Sequence, residues 1–368
     1  MMDKKQILFL LSHQPNPRFV KQIKYLSTLN DVSVIYFYRD YMKDLSEEYD
    51  SSCKLNENIA SISNGNYLQR IGKYLESLQK LYKILKVNKY DTLIVNNIDT
   101  LALFKLCTLF QKTNTKIVIE ISDLRSHTYT NSLKSKVMRA VEKFMFRFVD
   151  KLIVTSPKFY EMYYNKLFSG KYFVLENKPL SNMIPPKLEK IKNDKTIIGI
   201  VGLLLQAKPY ETLFKTVKDD DRFEVHIYGK GTYQKLVEEY VSKYENIKYF
   251  GEYNFFQDSA KIYASLDILY MPYDTTNGSL NNKIALPNKL YEAMYFQVPI
   301  ITSSGTYLGE LVEEYGIGET IKCCYKEELI KSIENINDTK IFDGFNRLQS
   351  NKYLADEDYL KLGDYISE

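Results

Sequence analysis

Short apolar runs alternate with stretches of helical spacing along the whole chain. Such runs, bounded by polar and turn residues, are typical of strands buried in a parallel sheet. In the first half the candidate strands are Gln6 to Ser12, Val32 to Tyr38, Thr92 to Asn97, Lys116 to Ile121, Lys151 to Ser156 and Tyr172 to Glu176. Between them, Phe19, Ile23 and Leu26 follow helical spacing. A stronger helical repeat comprises Ile71, Leu75, Leu78, Tyr82 and Leu85.

A second series of similar build follows a proline-containing segment. Its candidate strands are Thr196 to Gly202, Phe223 to Gly229, Ile247 to Tyr253, Asp267 to Tyr273, Pro299 to Ser304 and Glu319 to Lys322. Alternating strands and helices predict α/β domains with parallel, doubly wound sheets. We predict Rossmann-like domains at 1–178 and 196–350, a linker at 179–195, and a C-terminal helix at 351–368 that packs back toward the first domain. Ligands bind such sheets at the carboxyl ends of the strands, so a cleft between the domains is the expected site.

Composition narrows the class of protein. The chain has 368 residues, long enough for two domains. No apolar run approaches the roughly 20 residues that a membrane helix needs, and the N-terminal run is too short for a signal peptide, so we expect a cytoplasmic protein. The four cysteines show no metal-binding or disulfide spacing. Fifty Lys and Arg against 46 Asp and Glu give a net charge of +4, too mild to indicate nucleic-acid binding.

The richest segment for chemistry is Leu286 to Met294, followed by Pro299 to Ser303. Proline favours the first helical position, so a helix is predicted from Pro287 to about Phe296. Its free amides would form an anion site. Lys289 and Glu292, spaced i, i+3, would share one face and point at one ligand. The alternative is a surface ion pair.

Two loops in the same half have phosphate-binding character. Gly202 ends a strand, and Lys208 precedes a predicted helix whose amides suit a phosphate. Gly229 and Gly231 repeat the arrangement after the next strand, where glycine lets backbone approach a ligand. The alternatives are a solvated loop lysine and an ordinary tight turn.

The order of these motifs resembles the donor half of a retaining glycosyltransferase of family four, with the GT-B fold of two Rossmann-like domains. The Pro-Asn-Lys-Leu-Tyr-Glu form resembles the branch found in capsular and O-antigen polysaccharide clusters. The resemblance implies that Lys208 contacts the donor diphosphate and that Glu292 binds the ribose hydroxyls. It implies a phosphate at the amides of Asn288 to Leu290. The full set of expected donor-binding residues is Gly202, Lys208, Gly229, Gly231, Tyr253, Asn288, Lys289, Leu290 and Glu292.

Two positions in this half depart from the family pattern. Leu203 stands where an arginine is usual, so one diphosphate cation is missing, and Arg18 or Lys289 are the candidates to replace it. Ile284 stands where the first carboxylate of the Glu-x7-Glu motif normally touches the transferred sugar. The identity of the donor sugar therefore stays open.

The first half supplies two candidate catalytic residues besides Lys208. The loop from His13 to Lys21 resembles an Asp-Pro-Arg loop, with Asn16 in place of Asp, and places Arg18 at a helix start facing the cleft. A solvated first-turn arginine is the alternative. Asp123 follows a strand where relatives often carry His-Asp, with Ser122 in place of the histidine. A helix N-cap role for Asp123 or Ser122 is the alternative.

Other residues of the first half are interpreted as structural or as surface. Glu142 is assigned to the framework, and His127 is interpreted as a lone surface histidine. The segment 134–148 is basic on one side and apolar on the other, which fits an anionic membrane surface, although packing on its own sheet is favoured. A second basic face comprises Arg70, Lys73, Lys80, Lys83 and Lys86.

The predicted function is transfer of a sugar from a nucleoside diphosphate donor to a growing glycan acceptor, with a polyprenyl diphosphate as candidate carrier and peripheral inner-membrane contact. Lys208 and the helix start would stabilise the leaving diphosphate, so no metal or other cofactor is expected. Retention of configuration is implied by the resemblance. The alternatives are a sugar-nucleotide epimerase of the same fold and a catalytically silent binding partner in a polysaccharide assembly complex.

Overall fold

The computed structural model describes residues 4–61, 67–111, 113–336 and 339–368, without the side chains of residues 67–71 and 339–340. The chain divides into two compact units: unit 1 is 1–175 with 358–368, and unit 2 is 176–357. Within the described residues, no helix combines the length and apolar character that crossing a bilayer requires.

Unit 1 is built on a parallel sheet of seven strands in the order β3-β2-β1-β4-β5-β6-β7. The strands are β1 (Gln6–Leu11), β2 (Asp31–Tyr38), β3 (Leu55–Ser61), β4 (Thr92–Val95), β5 (Lys116–Ile121), β6 (Lys151–Val154) and β7 (Tyr172–Val174). The helices are α1 (Pro17–Leu29), α2 (Tyr67–Val87), α3 (Ile98–Cys107), α4 (Leu133–Met145) and α5 (Pro157–Met162). The central strands are almost wholly apolar and buried, as parallel strands covered on both faces must be.

Unit 2 is built on a parallel sheet of six strands in the order β10-β9-β8-β11-β12-β13. The strands are β8 (Thr196–Val201), β9 (Phe223–Tyr228), β10 (Ile247–Gly251), β11 (Ile268–Met271), β12 (Ile300–Ser303) and β13 (Gly318–Ile321). The helices are α6 (Ala207–Val217), α7 (Gln234–Val241), α8 (Phe255–Ser265), α9 (Leu280–Ile284), α10 (Asn288–Phe296), α11 (Tyr307–Tyr315), α12 (Lys326–Asn335), α13 (Thr339–Arg347) and α14 (Asp356–Ser367), the last passing into unit 1 from Asp358 onward. The prediction of two doubly wound parallel sheets is confirmed.

Strand β3 is absent from the predicted series. It lies at the edge of the sheet of unit 1, and Asn56, Glu57 and Asn58 interrupt its apolar pattern. An edge strand is covered less completely than a central one, so its sequence lacks the continuous apolar run that marks the others.

Two helices turn a different face to the core from the one predicted. In α2, Leu81 and Leu85 are buried whereas Leu75 and Tyr82 are exposed, so the buried stripe differs from the predicted one; the side chains of Ile71 and Arg70 lie outside the described residues. In α4, the favoured interpretation of core packing is wrong, because Val137, Val141 and Phe144 are exposed. Helical spacing predicts that an apolar stripe exists, but not which side of the helix meets the protein.

Candidate functional site

The loops that follow β8 and β9 meet at the carboxyl edge of the sheet in unit 2. Gly202 and Gly229 adopt φ values of +117° and +125°, which only glycine adopts without strain. A Cβ on Gly229 would lie 1.9 Å from the Gly202 carbonyl oxygen, and one on Gly231 would lie 2.6 Å from the backbone of Leu204. The close approach that these glycines permit is therefore between the two loops. Their contact with a donor stays a prediction.

Helix α10 begins at Asn288, one residue later than predicted, with Pro287 as its N-cap. The side chains of Lys289 and Glu292 share a face: Lys289 Nζ lies 2.8 and 2.7 Å from Glu292 Oε1 and Oε2. Lys289 also donates to the Tyr253 hydroxyl at 2.6 Å, and Tyr263 donates to Glu292 Oε2 at 2.9 Å. Glu292 is only 4% exposed, so this is not a surface ion pair.

The surroundings of Lys289 in this cluster keep its ammonium group charged. Burial alone would lower the pKa of Lys289, but the Glu292 carboxylate and Tyr253 outweigh it, and the pKa is raised. Burial and the neighbouring carboxylate raise the pKa of Tyr263 well above its usual range, so it stays a neutral donor. The cluster therefore contains a carboxylate held by two donors.

Lys208 lies in the first turn of α6, at the same edge of the sheet. Its side chain is exposed, and its Nζ lies 3.5 Å from Thr276 Oγ1. Throughout the described part of the chain, no carboxylate lies within ion-pair distance of this ammonium. Lys289 belongs to the same edge, since its Cε would lie 3.2 Å from a Cβ on Gly202, in the loop that leads into α6.

The helix start of α10 offers fewer amides than predicted. The Leu290 amide donates to the Pro287 carbonyl at 3.1 Å, so the expectation that it receives a phosphate does not fit this geometry. Among the described residues, the amides of Asn288 and Lys289 have no acceptor. A helix start with two open amides still favours an anion.

Both candidates to replace the missing arginine have carboxylate partners within the protein. Leu203, at the position of that arginine, is 67% exposed. Lys289 forms an ion pair with Glu292. Arg18 is 7% exposed; its Nε donates to the buried Glu120, and its Nη2 donates to the Leu175 carbonyl at 2.8 Å. The interpretation of Arg18 as a solvated first-turn residue is thus wrong, because a buried carboxylate holds the guanidinium. Its placement in a cleft and its catalytic role stay predictions.

Unit 1 contains an open cavity of about 540 Å³ at the carboxyl ends of β1, β2, β4 and β5. The strand order reverses between β1 and β4, which is where α/β sheets bind ligands. Asp123 is exposed in its wall. The next helical turn begins at Ser126 and is preceded by Arg125, so neither Asp123 nor Ser122 is an N-cap. A catalytic role for Asp123 stays a prediction.

The cavity wall also contains His127 and Glu142, which were not predicted as functional. Nε2 of His127 lies 3.2 Å from Oε2 of Glu142, which is buried and also accepts from the hydroxyls of Tyr163 at 2.5 Å and Tyr164 at 3.1 Å. Arg139 donates to the His127 carbonyl at 2.5 Å. The interpretation of His127 as a lone surface histidine is wrong. Its partner comes from α4, and no sequence spacing marks the pair.

The cavity wall also contains a neutral histidine, His13. His13 Nδ1 lies 2.7 Å from the Gln14 carbonyl, which can only accept, so the proton is assigned to Nδ1. Nε2 then accepts from Asn96 Nδ2 at 3.1 Å. Burial lowers the pKa of His13, which favours the same neutral form. Nearby, Oδ1 of Asp99 is buried with no partner among the described residues.

The cavity mixes donors and acceptors. Arg39 donates through Nε to the Ser12 carbonyl at 3.1 Å, and Arg125 donates through Nη2 to the Asn97 side chain, so each guanidinium has hydrogen-bonding capacity left. Asp99 and Asp123 supply carboxylate oxygens. Such a wall suits a ligand rich in hydroxyl groups.

The described residues contain no group of three or more His, Cys, Asp or Glu that could hold a metal ion. Independence from metal stays a prediction.

Comparison with known proteins indicates the class of enzyme. Residues 185–351 match the family model described as Glycosyl transferases group 1. The chain is 25% identical over 285 residues to the succinoglycan biosynthesis protein ExoL of Rhizobium meliloti, covering 74% of this chain and 70% of that protein. Its fold is similar to that of sucrose-phosphate synthase from Thermosynechococcus elongatus, with a TM-score of 0.74 and 16% identity over 99% of this chain and 98% of that one. It is also similar to Anabaena HepE in complex with UDP, with a TM-score of 0.69 and 15% identity over 98% of this chain and 99% of that one.

The matched region lies inside unit 2, where Lys208 and the Lys289–Glu292 cluster stand. The structural similarity confirms the predicted GT-B fold, and the family match confirms the prediction of a transferase of glycosyl groups. The chain is therefore a glycosyltransferase with the GT-B fold, whose second unit carries the part that matches Glycosyl transferases group 1.

Proposed function

We propose that this glycosyltransferase, of family four, moves a sugar from a nucleoside diphosphate donor to a growing surface polysaccharide, with retention of configuration and without a metal ion. The proposal depends on the exposed Lys208 ammonium and the open amides of α10, which follow the neighbouring strands β8 and β11 at the carboxyl edge of the sheet of unit 2. Two relatives support it. Anabaena HepE forms complexes with UDP and with UDP-glucose, and the Rhizobium protein ExoL is named for succinoglycan biosynthesis.

In this proposal the donor diphosphate lies against Lys208 and the amides of Asn288 and Lys289. Negative charge grows on the leaving diphosphate as the glycosidic bond breaks, and fixed donors aimed at that charge lower the barrier. Each lost donor of this kind typically costs about 10²- to 10³-fold in rate. Lys208 is the contact most easily tested, because it is exposed.

Glu292 would bind the ribose hydroxyls of the donor. A carboxylate offers about four lone-pair sites. Lys289 and Tyr263 occupy three of them, two on Oε2 and one on Oε1. One site on Oε1 is left for a ribose hydroxyl, while Lys289 holds the carboxylate in a fixed orientation.

The acceptor glycan would bind the cavity of unit 1. Asp99, whose Oδ1 has no partner in the described part of the chain, and the exposed Asp123 would accept from sugar hydroxyls, and Arg39 and Arg125 would donate. A polyprenyl diphosphate carrier fits the same arginines, since guanidinium groups bind phosphates well. The His127–Glu142 pair would orient a hydroxyl rather than carry the reaction alone.

The test is release of nucleoside diphosphate from a panel of nucleotide sugars, with and without oligosaccharide acceptors. Lys208→Ala should lower turnover about 10²-fold or more. The matched control is Lys215→Ala on the same helix, whose partner is Glu211 at 3.2 Å, and it should change nothing.

Each alternative gives a different result. Nucleotide binding without turnover of any donor would indicate a silent partner, and conversion of the sugar without nucleotide release would indicate an epimerase. Product NMR reports the anomeric configuration, and a chelator reports any need for metal. Inverted product or loss of activity with the chelator would contradict the corresponding part of the proposal.

A further inference from the structure

Helix α4 is amphipathic, but most of its apolar side chains are exposed, whereas a helix that covers a core buries them. The residues that it buries are Ser135, Glu142 and Met145. The exposed apolar residues recur every three or four positions and continue past its end: Leu133, Val137, Val141, Phe144 and Phe148. Val137 is 56% exposed and Phe144 is 53% exposed. The apolar stripe therefore faces away from unit 1.

A second exposed apolar group lies beside this stripe. Lys105, on α3, has its Nζ 4.8 Å from the centre of the Phe148 ring, which brings the end of α3 against the segment after α4. That end and the turn after it carry Leu106, Leu109 and Phe110, and Phe110 is 97% exposed. We call the exposed apolar residues of α4, together with Phe148, Leu106, Leu109 and Phe110, the apolar face.

Basic side chains border the stripe on both of its sides. They are Lys134, Lys136, Lys143 and Arg147, all exposed. Across the described residues, none of the four forms an ion pair. Arg147 instead lies 5.8 Å from the centre of the Phe144 ring. The charge of this border is therefore uncompensated within the protein.

We propose that the apolar face docks in the plane of an anionic lipid bilayer. Exposed apolar side chains enter the boundary between headgroups and acyl chains, while the flanking ammonium and guanidinium groups reach lipid phosphates. A second copy of the chain suits the face poorly, because a twofold interface would bring like-charged borders together. The inference rests on exposure and charge alone and is independent of the proposed transferase substrates.

The experiment is cosedimentation of the full chain with vesicles of phosphatidylcholine, with and without phosphatidylglycerol. Wild type should bind the vesicles that contain phosphatidylglycerol and should be released by salt, since surface charges are screened. The double variant Val137→Asp, Phe144→Asp should bind at least about ten-fold more weakly. The triple variant Lys134→Glu, Lys136→Glu, Lys143→Glu should lose the preference for phosphatidylglycerol.

The matched control is Leu360→Asp on α14, which changes an equally exposed leucine away from the face and should bind like wild type. All variants alter exposed side chains, and circular dichroism checks that they are folded. Equal binding by wild type and the double variant, or no binding to phosphatidylglycerol vesicles, would overturn the proposal. So would a wild-type dimer in sedimentation equilibrium that the double variant abolishes, because a second copy would then occupy the face.

Discussion

Two ion pairs, Arg18 with Glu120 in unit 1 and Lys289 with Glu292 in unit 2, hold their charges largely away from water. A buried charge is tolerated only when its partner and further hydrogen bonds replace the lost hydration. Gln22 and the Leu175 carbonyl serve the first pair, at 2.8 Å in each case. Removing one partner alone should therefore lower the free energy of unfolding far more than removing both.

We predict that Glu292→Ala lowers the free energy of unfolding of unit 2 by about 3–5 kcal/mol, because it leaves the Lys289 ammonium buried and unpaired. The double variant Lys289→Met, Glu292→Ala should recover most of that loss. Glu252→Ala is the control, since it breaks the exposed pair with Lys230, at 2.9 Å, and should cost under about 1 kcal/mol. Urea unfolding followed by circular dichroism measures all three. Equal losses in the single and double variants would contradict the prediction.

The stability of unit 1 should depend on pH through His13. Burial lowers the pKa of this histidine below its ordinary value of 6.5, so the unfolded chain takes up a proton before the folded chain does. The contribution of His13 is therefore complete above pH 6.5 and is lost as the pH falls toward the folded pKa, by at most about 1.4 kcal/mol per pH unit.

His13→Gln keeps an acceptor for Asn96 but cannot titrate. Unfolding measured between pH 5 and 8 should show a smaller loss of stability at low pH in this variant than in wild type. His226→Gln, in unit 2, should leave the pH dependence of unit 1 unchanged. Identical pH profiles for wild type and His13→Gln would refute the assignment.

At the scale of elements, the loops after β8 and β9 lead into α6 and α7 and pack against each other. Gly229→Ala should destabilise unit 2 severely and weaken nucleotide binding, because a Cβ would lie 1.9 Å from the Gly202 carbonyl oxygen and φ is +125°. Gly251→Ala is the matched control, with φ of +74° and open space around the new Cβ. It should cost only the strain of the backbone, about 1–2 kcal/mol. Thermal unfolding with and without UDP measures both; equal effects would exclude the loop contact.

The central strands and helix α10 were predictable because their sequence signals are local. Continuous apolar runs mark the central strands, and the i, i+3 spacing puts Lys289 and Glu292 on one face whatever surrounds α10. The partners across the fold were not predictable in this way. The Arg18–Glu120 and His127–Glu142 pairs join residues from separate elements, and the exposed side of α4 depends on which face the sheet leaves uncovered. The sequence contains these residues but not the contacts that select their roles.

At the scale of the whole molecule, the chain returns to unit 1 at its end. Residues 358–368 belong to that unit, and Tyr359, Leu362 and Ile366 of α14 are buried there. The Tyr365 hydroxyl donates to the Lys171 carbonyl at 2.8 Å and accepts from the Leu152 amide at 3.2 Å. This helix therefore completes a core that the rest of unit 1 leaves open.

Truncation after Glu357 should lower the midpoint of thermal unfolding of unit 1 and leave that of unit 2 nearly unchanged, because the apolar surface lost belongs to unit 1 alone. Circular dichroism follows both transitions, and a nucleoside diphosphate that binds as proposed identifies that of unit 2, since a ligand stabilises the unit that binds it. Leu360→Ala, on the exposed side of the same helix, is the control and should shift neither midpoint. A truncated chain in which unit 2 loses stability first would show that α14 supports unit 2 instead.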